Sequence, residues 1–93
     1  MIVSFRDGET EQIWLGRRSR RLPHDIQSVA LRKLRLLNAA KRIQDLALLP
    51  GNRLEALKGD RAGQWSIRIN DQGRICFEWT QGGAEEVEIV DYH

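Results

Sequence analysis

Cysteine is almost missing from this sequence: Cys76 is the single one in 93 residues. No internal disulfide can form. One Cys and two His also cannot supply the four N/S ligands of a structural zinc site. Long apolar runs are missing too. Leu46-Ala47-Leu48-Leu49 is typical of the longest, far short of the roughly 18–20 residues that span a bilayer. No membrane is therefore expected as a partner. The opening Met1 to Asp7 carries no basic stretch followed by a long apolar one, so no secretory signal is visible. With a lone cysteine, this predicts a reducing cytoplasm. Repeats, linkers and low-complexity segments are absent, and 1–93 reads as one domain. Hydrophobic residues make up 41%, enough to argue for a packed core rather than a disordered chain.

Charge is plentiful but divided. The net value of +2 averages two unlike halves. Up to Arg42, ten basic residues face four acids, giving +6; from Ile43 on, five face nine, giving −4. Twelve of the fifteen cations are Arg, the side chain that grips phosphate bidentately. Arg17, Arg18, Arg20, Arg21 and Arg32 stand out in the basic half as candidate RNA-binding residues. The pattern suits a polyanion partner, although a solvated helical face has the same composition.

Spacing divides the chain again at Pro50. Ile2 to Phe5 reads as a short strand, and Asp7 as the cap of a helix through Leu15 that Gly16 ends. Pro23 suits the first turn of a second helix. Its apolar residues Ile26, Val29, Ala30, Leu34, Leu37 and Ala40 share a face. Lys33 falls inside that stripe, so it must snorkel or lie at the edge of the buried zone. A further turn, Ile43 to Leu48, stops at Pro50-Gly51-Asn52. Beyond it, a short strand is expected at Leu54 to Leu57, and the period becomes two. Trp65, Ile67, Ile69, then Ile75, Phe77, Trp79, then Val87 and Ile89 define one apolar face. Asn70-Asp71-Gln72-Gly73 and Gln81-Gly82-Gly83 have hairpin chemistry. The fold class is therefore α+β, with helices covering one face of an antiparallel meander. The other face carries Ser66, Arg68, Arg74, Cys76, Glu78 and Glu88, a partly charged surface open to a ligand.

Three stretches hold chemistry. Leu57-Lys58-Gly59-Asp60-Arg61 sets two cations at a glycine-bearing turn, where they can hold a phosphate or simply make surface contacts. Arg74 opens a strand, either as a phosphate clamp or as an ordinary exposed Arg. Asp91-Tyr92-His93 combines a carboxylate, a phenol and an imidazole, the equipment of acid–base chemistry, or else forms a frayed tail. His24 reads as local or exposed, and Cys76 as packing. Trp14, Trp65 and Trp79 read as core, with Trp14 alternatively facing a partner.

In order along nearly the whole chain, Ile2-Val3-Ser4-Phe5, Ala30-Leu31-Arg32-Lys33-Leu34, Leu57-Lys58-Gly59-Asp60-Arg61, Trp65-Ser66-Ile67, Arg74-Ile75 and Asp91-Tyr92-His93 resemble the HigB toxins of bacterial type II toxin–antitoxin systems. These are a branch of the RelE superfamily. The resemblance implies a RelE-like RNase fold and a metal-independent, cofactor-free endoribonuclease that cleaves mRNA in the A site of the 70S ribosome. It further implies a HigA-type helix-turn-helix antitoxin, with operator DNA bound only through the toxin–antitoxin complex. Carried over by position, the catalytic set is Lys58, Arg74, Asp91, Tyr92 and His93. His93 would move protons with help from Asp91, Tyr92 would orient a base, and Lys58 and Arg74 would stabilise the phosphate. Arg61 and Arg68 are candidate helpers on the RNA.

Three positions depart from the family pattern. Glu55 stands where some members carry a His, which favours a mechanism with one imidazole. Gly73 replaces a bulky aromatic and suits a turn residue of positive φ. Glu78 places an acid near the RNA face. These departures support an alternative: a weakened or inactive RelE-fold module that binds RNA, ribosome or antitoxin without cleaving.

Overall fold

The period-two segments after Pro50 form a four-stranded antiparallel sheet in the computed structural model, which describes residues 1–91. Its strands are β1 (Glu55–Ala56), β2 (Gln64–Arg68), β3 (Gly73–Thr80) and β4 (Gly83–Asp91), side by side in chain order. Trp65 lies opposite Phe77, and Ile67 opposite Ile75, which in turn pairs with Ile89. This register places the expected apolar residues on one face. The register shifts between Cys76 and Glu78, and Glu86 takes a φ of 53°, so β4 bulges where it passes β3. Such a bulge sharpens the local twist of the strand pair.

Three helices precede the sheet: α1 (Gly8–Trp14), α2 (His24–Ala39) and α3 (Ile43–Ala47). Asp7 caps α1 by accepting the Thr10 N–H at 2.8 Å. Pro23 is the residue just before α2, not its first turn, and Asp25 sits near the favourable N-terminal end. The buried residues of α2 are Ile26, Ala30, Lys33, Leu34 and Leu37, the spacing of one helical face. They meet Ile67, Ile69, Ile75, Phe77, Val87 and Ile89 in one core. Each large side chain fully buried there contributes about 1.5–3 kcal/mol. Trp14, Trp65 and Trp79 pack against this core while keeping part of their surface in solvent.

Two expectations are corrected. Ile2 to Phe5 is not a strand: Ile2 and Phe5 make isolated parallel bridges to Ala84 and Val87. Met1 and Val3 bond Ala84, and Ser4 and Arg6 bond Val87, so the segment is held by two separate bridges rather than a continuous ladder. Gly73 does not have a positive φ. An added Cβ there would lie 3.3 Å from Asn70 Oδ1, a tight contact, and 3.6 Å from Ile26 Cδ1, an ordinary one. Lys33 takes the place its spacing predicts, the edge of the buried zone: 8% of its surface stays exposed, and its ammonium donates to Asn52 Oδ1.

Candidate active site

The sheet face turned away from the helices is built around Arg74. Arg74 and Arg68 are cross-strand partners, so two like charges are forced together. Each is turned to its own acceptors. Arg68 pairs with Asp71 of the hairpin turn. Arg74 donates through Nε to Ser66 Oγ at 2.8 Å and through Nη2 to the Arg53 carbonyl at 2.9 Å. The Glu55 carboxylate lies 3.7 Å from the same Nη2. A guanidinium has five N–H donors, and these two bonds use two of them. Arg74 is thus a fixed, partly exposed cation with donor capacity to spare for an anion.

Lys58 lies in the loop between β1 and β2, at the start of a 3-10 turn over Gly59–Arg61, and is exposed. The Leu57 N–H closes this loop onto the Gln64 carbonyl at 2.8 Å. Arg61, from the same turn, reaches over the sheet to Gln64 Oε1 and Glu88 Oε1, both at 3.1 Å. Glu88 also lies 3.9 Å from Arg6. Arg61 is therefore shared with an acid that any phosphate must displace. Glu78 is exposed, and its Cα faces Gln64 across the strands.

Asp91 pairs with Gly73 at the end of β4, next to Arg74 in the register, but on the alternate parity with Ile89. The strand alternation thus separates Asp91 from the Arg74 face. Tyr92 and His93 lie outside the described residues. Arg17, Arg18, Arg20 and Arg21 are exposed in the connection from α1 to α2, and Arg32 is exposed on α2, all away from the Arg74 cluster in sequence. A cavity of about 260 Å³ between α1 and α2 is lined by Arg17, Arg18 and His24 among others. Among the described residues, no group of three His, Cys, Asp or Glu side chains is placed to hold a metal ion.

Sequence reasoning placed Ser66 on this face without giving it a role, and passed over the Arg53 carbonyl. Ser66 and Arg74 are diagonal neighbours, a relation that appears only once the strand register is known.

A family model for the RelE-like toxin of the type II toxin–antitoxin system HigB matches residues 3–93. The chain belongs to the HigB-like toxin family. It is 41% identical over 85 residues, 90% of either chain, to a protein named Toxin HigB-1 from Vibrio cholerae serotype O1. It is also 44% identical over 41 residues to Endoribonuclease HigB from Proteus vulgaris, covering 44% of this chain and 45% of the relative. As the toxin half of a type II system, a HigB-like chain has an antitoxin as the partner its family implies. Cys76 and Ser66 are fully buried, so the groups this HigB-like toxin leaves accessible on that face include Arg68, Arg74, Glu78 and Glu88.

Proposed function

We propose that this chain is an endoribonuclease toxin that halts translation by cutting mRNA in the A site of the 70S ribosome. Residues 1–93 act as one toxin domain, in the bacterial cytoplasm and without a metal or cofactor. The observation that supports this most is Arg74, anchored by Ser66 and the Arg53 carbonyl with donors left for a phosphate. The named activity of the Proteus relative points the same way.

In this reading the RNA 2′-oxygen forms a bond to the adjacent phosphorus, and the bond from phosphorus to the 5′-oxygen breaks. A base takes the 2′-OH proton, and an acid supplies one to the leaving 5′-oxygen. Arg74 and Lys58 stabilise the charge on the pentacoordinate phosphorane, aided by Arg61 and Arg68. His93 carries the proton transfer, Asp91 assists it, and Tyr92 orients a base. The exposed Arg17, Arg18, Arg20, Arg21 and Arg32 dock on ribosomal RNA. The partner is a HigA-type helix-turn-helix antitoxin, and operator DNA is reached only through that complex.

A second reading draws on Glu55 beside Arg74 and Glu88 on Arg61, acids that offset both cations. On that reading the protein binds without cutting. Expressing the chain alone and mapping mRNA 5′ ends decides between them. Growth arrest with cuts that vanish in Arg74→Ala and His93→Ala supports the enzyme. Intact mRNA at good expression leaves the binding module.

A further inference from the structure

Among the described residues, Lys33 is the one charged residue that is buried, with 8% of its surface left exposed. Its acceptor, Asn52, has no exposed surface. Asn52 takes the Lys33 ammonium on Oδ1, donates Nδ2 to the Leu46 carbonyl at 3.0 Å, and donates its own N–H to the Leu49 carbonyl at 2.9 Å. These bonds tie α2, the end of α3 and the 3-10 turn Pro50–Asn52 together at one residue. The next residue, Arg53, is held at φ 43° and ψ 59°. A residue with a Cβ adopts that left-handed conformation only where its surroundings impose it. The turn aims the Arg53 carbonyl at Arg74 Nη2.

A leucine at position 33 would suit the apolar stripe of α2 equally well. It would leave Asn52 Oδ1 without the Lys33 donor, so that the amide would be held from its Nδ2 side alone. A buried, satisfied polar pair fixes the direction of the amide.

We propose that Lys33 and Asn52 are positioning residues for Arg74: the buried pair fixes the turn whose next carbonyl holds the guanidinium toward the scissile phosphate. This rests on the reading of Arg74 as the phosphate-stabilising group. The pair never touches RNA. It acts through the Asn52 to Arg53 backbone, and it also sets where β1 starts, three residues before Lys58.

A double-mutant cycle tests this with Lys33→Met, Arg74→Ala and both together. Single-turnover cleavage of ribosome-bound mRNA is measured for each, after circular dichroism confirms folding. Misplacing a catalytic group by about 1 Å can cost about 100-fold in rate. Partial loosening should therefore lower the Lys33→Met rate by about 10-fold, with KM changed less than about 2-fold. In the Arg74→Ala background, Lys33→Met should cost less than about 2-fold, because its target is already gone. The Arg74 Nε–H resonance in the free toxin should shift or broaden in Lys33→Met, which loss of global stability alone would not produce in a folded sample. Should Lys33→Met fail to fold, Lys33→Gln, a slightly shorter neutral donor, replaces it in the same cycle. A slow Arg74→Ala combined with a Lys33 variant at the wild-type rate overturns the inference and spares the site. So does a loss that multiplies fully with that of Arg74→Ala. Arg74→Ala cleaving at the wild-type rate overturns the reading of the site itself.

Discussion

Arg74 and Ser66 are joined across β2 and β3 by an Nε to Oγ hydrogen bond of 2.8 Å. Ser66 has no exposed surface, so water cannot replace its hydroxyl if it is removed. Ser66→Ala should therefore loosen the guanidinium while leaving its charge in place. The expected cost is about 1–2 kcal/mol in stability. RNA cleavage should slow about 5–10-fold, the penalty of poorer orientation. Thermal unfolding and single-turnover cleavage on the same samples check both. An unchanged rate would show that Arg74 works without this anchor.

Gly83 begins β4 at a φ of 125°, and an added Cβ would lie 2.2 Å from the Met1 carbonyl oxygen. That carbonyl accepts the Ala84 N–H at 2.8 Å, part of the parallel bridge that attaches the N-terminal segment. Gly83→Ala forces the segment off β4 or strains the turn. It should lower stability by about 1–3 kcal/mol. At neighbouring Gly82, a Cβ would meet Val3 Cγ2 at 3.6 Å, an ordinary contact. Gly82→Ala is thus the control, and a denaturant titration should place it near wild type.

Asp45 closes the start of α3. Its Oδ2 accepts the Lys41 N–H at 3.0 Å and the Arg42 N–H at 3.1 Å. These backbone bonds, chiefly that from Arg42, hold its carboxyl below the ordinary value of 3.8. The unfolded chain then takes up the proton first as pH falls. The charged carboxylate stabilises the fold fully above the ordinary carboxylate range. That contribution is lost as pH drops through the lower folded value. Asp45→Asn should be less stable than wild type at neutral pH, and the gap should close below the ordinary carboxylate value. Unfolding curves at neutral and acid pH give the comparison. A gap that stayed constant with pH would remove the charge as its cause.

Much of the scaffold was legible because one-sided burial imposes a period. The stripe from Ile26 to Leu37 and the alternation from Trp65 to Ile89 both found their faces. The same alternation put Arg74 on the open face. What spacing could not show were partners distant in sequence. The stripe sets Lys33 at the edge of the buried zone, but no spacing shows that Asn52, nineteen positions on, is its acceptor. Ile2 to Phe5 has strand composition, but its neighbour β4 bulges beside it and only two bridges form. A positive φ is expected at Gly73, whereas its backbone is ordinary and the one tight neighbour of an added Cβ would be Asn70 Oδ1. Period-two spacing sets Asp91 on the parity of Ile89, and the register agrees.

Glu55 gives the sharpest functional contrast. Its carboxylate lies 3.7 Å from Arg74 Nη2, with the Glu55 side chain 57% exposed and that of Arg74 18% exposed. With the Glu55 carboxylate mostly in solvent and no hydrogen bond between them, the pair holds only about 0–1 kcal/mol. A bound phosphate must still displace the acid from the cation it needs. Glu55→Gln should therefore tighten RNA binding by about 2–5-fold, the scale set by that pair energy. The single-turnover rate at saturating RNA should change little. The gain should shrink as salt screens the exposed charges, so the titration is run at low and at high ionic strength. Loss of cleavage at saturating RNA would give the opposite answer: Glu55 would then act on the reaction rather than compete for Arg74.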